Sequence, residues 1–100
     1  MSYILSISIF PVDKGESLSR YVSKVSKIIE DSGLEYVITP MATIIESENI
    51  DSLLNIVKTG FDVLKEDSNR VYANMAIDYR KSGLGRLKQK VESLKSKINK

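Results

Sequence analysis

Two stretches, one near each end of the chain, alternate between apolar and other residues, and this alternation constrains the fold more than any other feature. In residues 3–10 (YILSISIF) and in residues 71–80 (VYANMAIDYR), the odd-numbered positions form one apolar face. A period of two residues is typical of β-strands that bury one face. The sequence therefore predicts two strands whose odd-numbered faces pack against helices, while their even-numbered faces point the other way.

Three further segments have apolar residues at helical spacing, which predicts amphipathic helices over residues 17–32, 50–64 and 84–98. We expect Ser17 and Asn49 to cap the first two helices, because their side-chain oxygens can accept a hydrogen bond from a free N–H in the first turn. Gly33 suits the left-handed position that ends the first helix. Gly60 lies inside the second helix at a cost of ~1 kcal/mol relative to alanine, which indicates close packing.

Two short runs rich in β-forming residues, 36–39 and 43–46, are separated by Pro40 and Met41. Because proline has no N–H to donate, we expect it in the turn of a hairpin. The predicted order is β-α-β-β-α-β-α, that of an α+β, ferredoxin-like βαββαβ antiparallel sheet with an additional C-terminal helix. We expect one domain over residues 1–100, with the first two helices on one face of the sheet.

Composition excludes several kinds of chemistry. The chain has no cysteine, histidine or tryptophan, which excludes disulfides, thiolate chemistry and an imidazole base. A metal site would need oxygen ligands alone, and we expect no metal, no cofactor and no catalytic residues. The N-terminal segment lacks the basic region of a signal peptide, and no apolar run approaches the ~20 residues of a membrane-spanning helix. We therefore expect a cytoplasmic location and no membrane partner.

Charge is distributed unevenly along the chain. Residues 80–100 contain eight Lys or Arg and one acidic residue, whereas residues 1–79 contain seven basic and twelve acidic residues. Such a basic segment is typical either of nucleic-acid binding or of a lysine-rich, solvent-exposed helix face. Its lysines have no aromatic residues between them and only two arginines accompany them, which favours the exposed helix face.

The even-numbered faces of the two alternating strands are mixed in character. The first strand contributes Ile4, Ser6, Ser8 and Phe10, and the last contributes Tyr72, Asn74, Ala76, Asp78 and Arg80. If the strands are neighbours, hydroxyl, amide and carboxylate groups lie beside aromatic rings. Such a face fits a ligand site, a subunit interface, or the solvent-exposed face of an antiparallel sheet. We expect the apolar residues of the third helix to be buried against this face, against a partner subunit, or against an edge of their own domain.

Three segments resemble, in order and spacing, the small YkoF-like thiamine-binding proteins with a ferredoxin-like fold. SRYVSKVSKIIEDSGLEY resembles S-x-Y-V followed by a helix and S-G-L-x-Y, TPMATIIES resembles P-M-G-T-x-I-E-G, and NRVYANMAIDYR resembles R-V-x-x-x-I-x-I-D-x-R. The resemblance covers about residues 3–98. It implies non-enzymatic binding of thiamine or its hydroxymethylpyrimidine part by a homodimer or homotetramer. Ala42 and Ser47 stand where the family usually has glycine, and residues 60–62 (GFD) where many members have A-H-E.

The resemblance and the mixed face together suggest a set of ligand-binding residues. An aminopyrimidine ring has donors and acceptors on its edge, two flat faces and, in thiamine, a cationic thiazolium attached to it. Hydroxyl and amide groups can pair with the edge, an aromatic ring or thioether can cover a face, and a carboxylate can stabilise the cation. The candidates are Ser6, Ser8, Tyr36, Met41, Thr43, Glu46, Asn74 and Asp78.

Simpler interpretations of these residues and other functions stay open at this point. Thr43 and Tyr36 are ordinary strand residues, Glu46 fits a solvated charge at a strand end, and Asp78 fits a surface ion pair with Arg80 or Arg70. A nucleic-acid-binding module using the basic helix is an alternative, although the last strand lacks the glycine and aromatic run of RNA-binding sheets. A structural oligomer without a ligand is another. An enzyme would depend on carboxylates or lysines, and no spacing supports a carboxylate pair.

Overall fold

The computed structural model describes residues 1–15 and 18–98, and it confirms the predicted order of elements. The elements are β1 (Ser2–Pro11), α1 (Ser19–Asp31), β2 (Glu35–Ile38), β3 (Thr43–Ser47), α2 (Ile50–Lys65), β4 (Val71–Arg80) and α3 (Arg86–Ile98). The four strands form one antiparallel sheet in the order β2-β3-β1-β4. The fold is therefore α+β and ferredoxin-like with an additional C-terminal helix.

The core lies between α1, α2 and the odd-numbered face of β1, as the alternation predicts. Leu5 of β1, Ile45 of β3, Ile29 of α1 and Leu53 of α2 are all buried in one cluster. Burying a leucine or isoleucine side chain contributes about 1.5–3 kcal/mol relative to leaving it exposed. The even-numbered face of the sheet receives neither α1 nor α2.

The helix ends agree with the sequence at two positions. The Asn49 side chain accepts a hydrogen bond from the Asp51 N–H at 2.8 Å and caps α2, and Gly33 follows α1 with a left-handed φ of 75°. The predicted cap Ser17 lies outside the described residues, and α1 begins after Leu18, whose side chain makes no capping bond.

Gly60 of α2 is buried and faces Ile9 of β1. A methyl group added at Gly60 would stand 3.6 Å from Ile9 Cδ1, which is an ordinary contact distance. The helix is therefore closely packed here, as expected, but the packing does not require glycine.

The C-terminal helix α3 differs from the other two because its described apolar side chains are open to solvent, apart from Leu87, which is half-buried. Leu94 is 60% exposed and Ile98 is 78% exposed, while Leu84 precedes the helix. The side chain of Val91, which the sequence places on the same stripe, lies outside those described. Among residues 1–15 and 18–98, no helix is long and apolar enough to cross a membrane.

Candidate functional site

Strand β1 extends beyond its neighbour β3 and leaves a gap in the sheet. The pairing of β1 with β3 ends at Ile7–Thr43, whereas its pairing with β4 continues to Pro11–Val71. Among the described strands, none pairs with residues 8–10 on the side of β3. Backbone N–H and C=O groups need hydrogen-bond partners, so this gap offers main-chain groups to a ligand. We call the gap, bounded by residues 8–10, the β2–β3 turn and α1, the notch.

A cavity of about 190 Å³ occupies the notch. It is lined by residues 7–10 of β1, by residues 38–43 of the turn, and by Leu18 with the inward side of α1. Most of this lining is hydrocarbon, and the lining residues that carry hydroxyl groups include Ser8, Ser26 and Thr43. A largely apolar cavity with a few polar groups is typical of a small-molecule site.

The two threonines of the TPMAT segment have different roles. The Thr39 hydroxyl donates to the Ala42 carbonyl at 2.7 Å and accepts from the N–H groups of Ala42 and Met41 at 3.1 and 3.3 Å. Thr39 therefore builds the turn. Thr43 lines the cavity. Met41 also lines the cavity and is 85% exposed, so its flexible side chain can move over the entrance.

The structure divides the eight candidate residues among several places. Ser8, Met41 and Thr43 line the notch cavity. Ser6 and Asn74 lie on the even-numbered face, where Asn74 is the direct cross-strand partner of Ser8. Ser8 thus belongs to both groups, and the notch is where they meet.

Three candidates lie away from the notch. Tyr36 of the edge strand β2 is paired with Ile45, which places it on the sheet face that carries the odd-numbered residues of β1 and β3, outside the cavity lining. Glu46 and Asp78 are the two cross-strand partners of Ile4, at the other end of the even-numbered face. The eight residues therefore do not form one contiguous site within this chain.

Arg86, at the start of α3, holds that other end together. Its guanidinium is 2% exposed and donates to the Ser2 Oγ at 3.1 Å, the Ser2 carbonyl at 2.9 Å, the Asp78 Oδ2 at 2.9 Å and the Asp78 carbonyl at 3.2 Å. We call Ser2, Glu46, Asp78 and Arg86 the Arg86 cluster. The carboxylates of this cluster, Glu46 and Asp78, lie on either side of Ile4, and the Arg86 guanidinium extends from one to the other. Ile4 is buried although it faces away from α1 and α2.

Glu46 is the buried anion of this cluster. Its carboxylate accepts hydrogen bonds from the Ser2 hydroxyl and from the N–H groups of Gly85 and Arg86. Glu46 lies on β3, and the two N–H bonds let it cap the N-terminus of α3. Burial raises the pKa of Glu46, but the three hydrogen bonds and the Arg86 charge outweigh it, so the pKa lies below its ordinary value of 4.5. Glu46 is not a solvated strand-end charge: only 3% of it is exposed.

Two features of this cluster were absent from the sequence interpretation. Asp78 forms an ion pair with Arg86 at 2.9 Å, whereas the surface interpretation proposed Arg80 or Arg70 as its partner. Arg86 itself was counted only as part of a basic segment. Its signal was chemical: an arginine among lysines is the residue best suited to a buried, multiply hydrogen-bonded site. Within the described residues, no group of three or more carboxylates is placed to hold a metal ion.

Comparison with known proteins identifies a family model and several relatives that match most of this chain. A family described as "Thiamine-binding protein" matches residues 5–95. A UPF0045 protein of Methanothermobacter thermautotrophicus is 39% identical over 83 residues, 82% of this chain and 84% of the relative. A UPF0045 protein of Clostridium perfringens is 36% identical over 80% of this chain and 84% of its own length.

Two crystal structures share the fold. A hypothetical protein of Methanocaldococcus jannaschii aligns with a TM-score of 0.84 and 27% identity over 93% of this chain and 95% of its own. A candidate thiamine biosynthesis or salvage protein of Thermotoga maritima aligns with a TM-score of 0.80 and 22% identity over 94% of this chain and 99% of its own. At that lower identity the likeness shows the fold alone.

Proposed function

We propose, because this chain belongs to the thiamine-binding protein family, that it binds thiamine or a hydroxymethylpyrimidine-type molecule without catalysing a reaction. The observation that carries the proposal is the notch cavity. The TPMAT turn builds one wall of it, and this is a segment in which the sequence resembles the family. The wall opposite is α1, which bears another of the resembling segments.

The size of the cavity favours one ring of the ligand. At about 190 Å³ it is smaller than the roughly 300–1,000 Å³ of sites that enclose drug-sized molecules. We therefore propose that the pyrimidine ring enters the notch and that the thiazolium of thiamine stays outside it. The edge of the ring would pair with the main chain of residues 8–10 and with the hydroxyls of Ser8 and Thr43. Hydrocarbon from α1 and the thioether of Met41 would cover its faces.

Calorimetric titration with thiamine and with hydroxymethylpyrimidine tests this proposal. Thr43 and Asn74 lie on opposite faces of the sheet, so Thr43→Val and Asn74→Leu form a matched pair. Loss of one hydrogen bond at Thr43 is expected to weaken binding roughly 5–10-fold, on the basis of ~1 kcal/mol per bond. Asn74→Leu is expected to leave the affinity near that of the wild type.

The outcomes separate the alternatives. If Asn74→Leu alone weakens binding, the ligand lies on the even-numbered face and the notch assignment is wrong. If neither compound releases heat or raises the melting temperature at millimolar concentration, the ligand proposal fails and a structural oligomer becomes the better interpretation. Ala42→Gly is a further test. Ala42 lines the cavity, and removing its methyl group leaves more room for the ring, so this substitution is expected to strengthen binding.

We also propose that the protein is a homodimer or homotetramer, as the family resemblance implies. The exposed Leu94 and Ile98 of α3 support this, since apolar side chains on one stripe of a helix gain most when a partner covers them. The cytoplasmic location stays a prediction. Nucleic-acid binding loses part of its basis, because Arg86 is buried in its cluster and cannot reach a phosphate. Oligonucleotide binding that weakens steeply with salt would restore it.

A further inference from the structure

The outer edge of β4 is long, regular and apolar. The strand has ten residues, and on its outer side no strand pairs with it among the described residues. Its odd-numbered face carries Met75, Ile77 and Tyr79, which are 47%, 41% and 51% exposed. These side chains continue the face that elsewhere in the sheet is covered by α1 and α2.

This edge lacks several of the features that protect sheet edges from pairing, and the charged residues of the strand, Asp78 and Arg80, lie near one end of it. Residues 71–79 contain neither proline nor lysine, and β4 pairs with β1 one residue to one along its whole length, so it has no bulge. An unpaired strand of this kind presents a row of backbone N–H and C=O groups and is a template for another strand. By contrast, the opposite edge of the sheet is β2, which has only four residues.

We infer that the outer edge of β4 pairs antiparallel with β4 of a second copy of this chain, with a two-fold axis through Ala76. This inference rests on the proposed homo-oligomer and names its surface. A two-fold axis perpendicular to a sheet keeps each face on its own side, and directly opposed residues share a face. The axis must therefore lie between the two copies of one residue, so that this residue opposes itself. The side chains decide which residue that is.

An axis at Ala76 makes the strand complementary to itself. On the odd-numbered face it places Met75 opposite Ile77, and Ala73 opposite Tyr79, so that apolar residues meet. On the even-numbered face it places Asn74 opposite Asp78, and Tyr72 opposite Arg80, which pairs a guanidinium with an aromatic ring. Each of these contacts occurs twice because of the symmetry, and residues 72–80 are all paired.

The neighbouring registers are less favourable. An axis at Met75 also pairs nine residues, but it places Tyr72 opposite Asp78 and brings Arg80 against Arg70 of the second copy. An axis at Ile77 brings Lys81 onto the apolar face opposite Ala73. Directly opposed like charges destabilise an antiparallel pair, whereas apolar and opposite-charge pairs each contribute roughly 0.2–1 kcal/mol. The joined sheet would have eight strands and two β2 edges.

Single-cysteine variants test the register, because the chain has no cysteine of its own. Opposed residues in an antiparallel pair have Cα atoms about 4.5–5.5 Å apart, within the roughly 4.4–6.8 Å that a disulfide spans. Ala76→Cys is therefore expected to give a covalent dimer under mild oxidation, seen on non-reducing gels. Asn74→Cys is the control: its own copy would be offset by four residues, roughly 13 Å along the strand, and we expect it to stay monomeric on the gel. Faster cross-linking of Met75→Cys than of Ala76→Cys would overturn the register.

A charge placed on the edge tests the surface itself. Ile77→Lys is expected to halve the particle mass measured by light scattering, whereas Val37→Lys on the other edge strand is expected to leave it unchanged. Both side chains are about equally exposed in the monomer, at 41% and 45%, so a melting curve can confirm that both variants fold. If the wild type is oligomeric and Ile77→Lys leaves its mass unchanged, the β4 surface is wrong while the proposed homo-oligomer stands. If the wild type is monomeric, both assembly proposals fail, and the ligand titration still decides the proposed binding function.

Discussion

Strands β1 and β4 are alike in sequence pattern and unlike in environment. Both have ten residues with an apolar odd-numbered face, and they are paired along their whole length from Ser2–Arg80 to Pro11–Val71. Yet Leu5 is fully buried while its direct partner Ile77 is 41% exposed. The difference arises from position: β1 lies between β3 and β4 under the two helices, and β4 lies at the edge. An alternating pattern thus shows which face is apolar and leaves open what covers it.

The largest expected effect comes from removing the group that ties these two strands together. Arg86 bonds both Ser2 of β1 and Asp78 of β4, and it is the counter-charge of Glu46. Removing one member of a buried ion pair leaves an uncompensated charge and costs about 3–5 kcal/mol. Arg86→Ala is therefore expected to lower the free energy of unfolding by that amount in urea titrations. Lys27→Ala breaks an exposed pair with Asp31 and serves as the control, with an expected loss of less than about 0.5 kcal/mol. Equal losses in the two variants would contradict the structural role of the Arg86 cluster.

The comparison between the strands is tested directly by truncating two residues that oppose each other. Leu5→Ala removes a fully buried side chain and is expected to cost about 2–5 kcal/mol. Ile77→Ala is expected to cost less than about 1 kcal/mol in the monomer, because much of its side chain is already in water. Unfolding should be measured at dilutions where the protein is monomeric. A large loss at Ile77 that depends on protein concentration would show that assembly covers β4, and a large loss independent of concentration would contradict the exposed edge.

Lowering the pH should weaken the Arg86 cluster gradually, by protonating Glu46. Because the folded-state pKa of Glu46 lies below its ordinary value of 4.5, the carboxylate contributes stability that is fully present above the unfolded-state pKa and is lost as pH falls through the folded-state pKa. The wild type should therefore unfold with a higher free energy than Glu46→Gln above the unfolded-state pKa. This difference should disappear as the pH falls through the folded-state pKa. Urea unfolding of both proteins along a pH series measures the difference. A gap that stays constant with pH would mean that Glu46 is not ionised in the folded state.

The smallest expected effects come from two aromatic pairs that join β1 to β4 on opposite faces. The ring centroids of Tyr3 and Tyr79 are 4.9 Å apart, and those of Phe10 and Tyr72 are 5.8 Å apart. Double-mutant cycles to alanine are expected to give a coupling of about 0.5–1.5 kcal/mol for the closer pair and less for the other. The reverse order would show that ring distance does not govern the coupling.

Local features of the fold were predictable from the sequence because they depend on neighbouring residues. Asn49 caps α2 and Gly33 ends α1 as expected, since both act on the backbone within a few positions. That Ser8 and Asn74 lie on the same face of neighbouring strands also followed from alternation and strand order. The notch did not, because it depends on β3 ending at Thr43 while β1 continues to Pro11. The division of the candidate site between two faces has the same origin.

By itself, then, the sequence determined the order of the elements, the faces of the strands and the absence of thiol and imidazole chemistry, because backbone geometry and side-chain type are local properties. Only the tertiary structure decided that Arg86 would be buried against Ser2, 84 residues away, that β4 would be an edge, and that the TPMAT turn would enclose a cavity. These features depend on which distant segments meet. The free energy of a buried charge or an exposed strand is set by those neighbours and is not encoded at any single position.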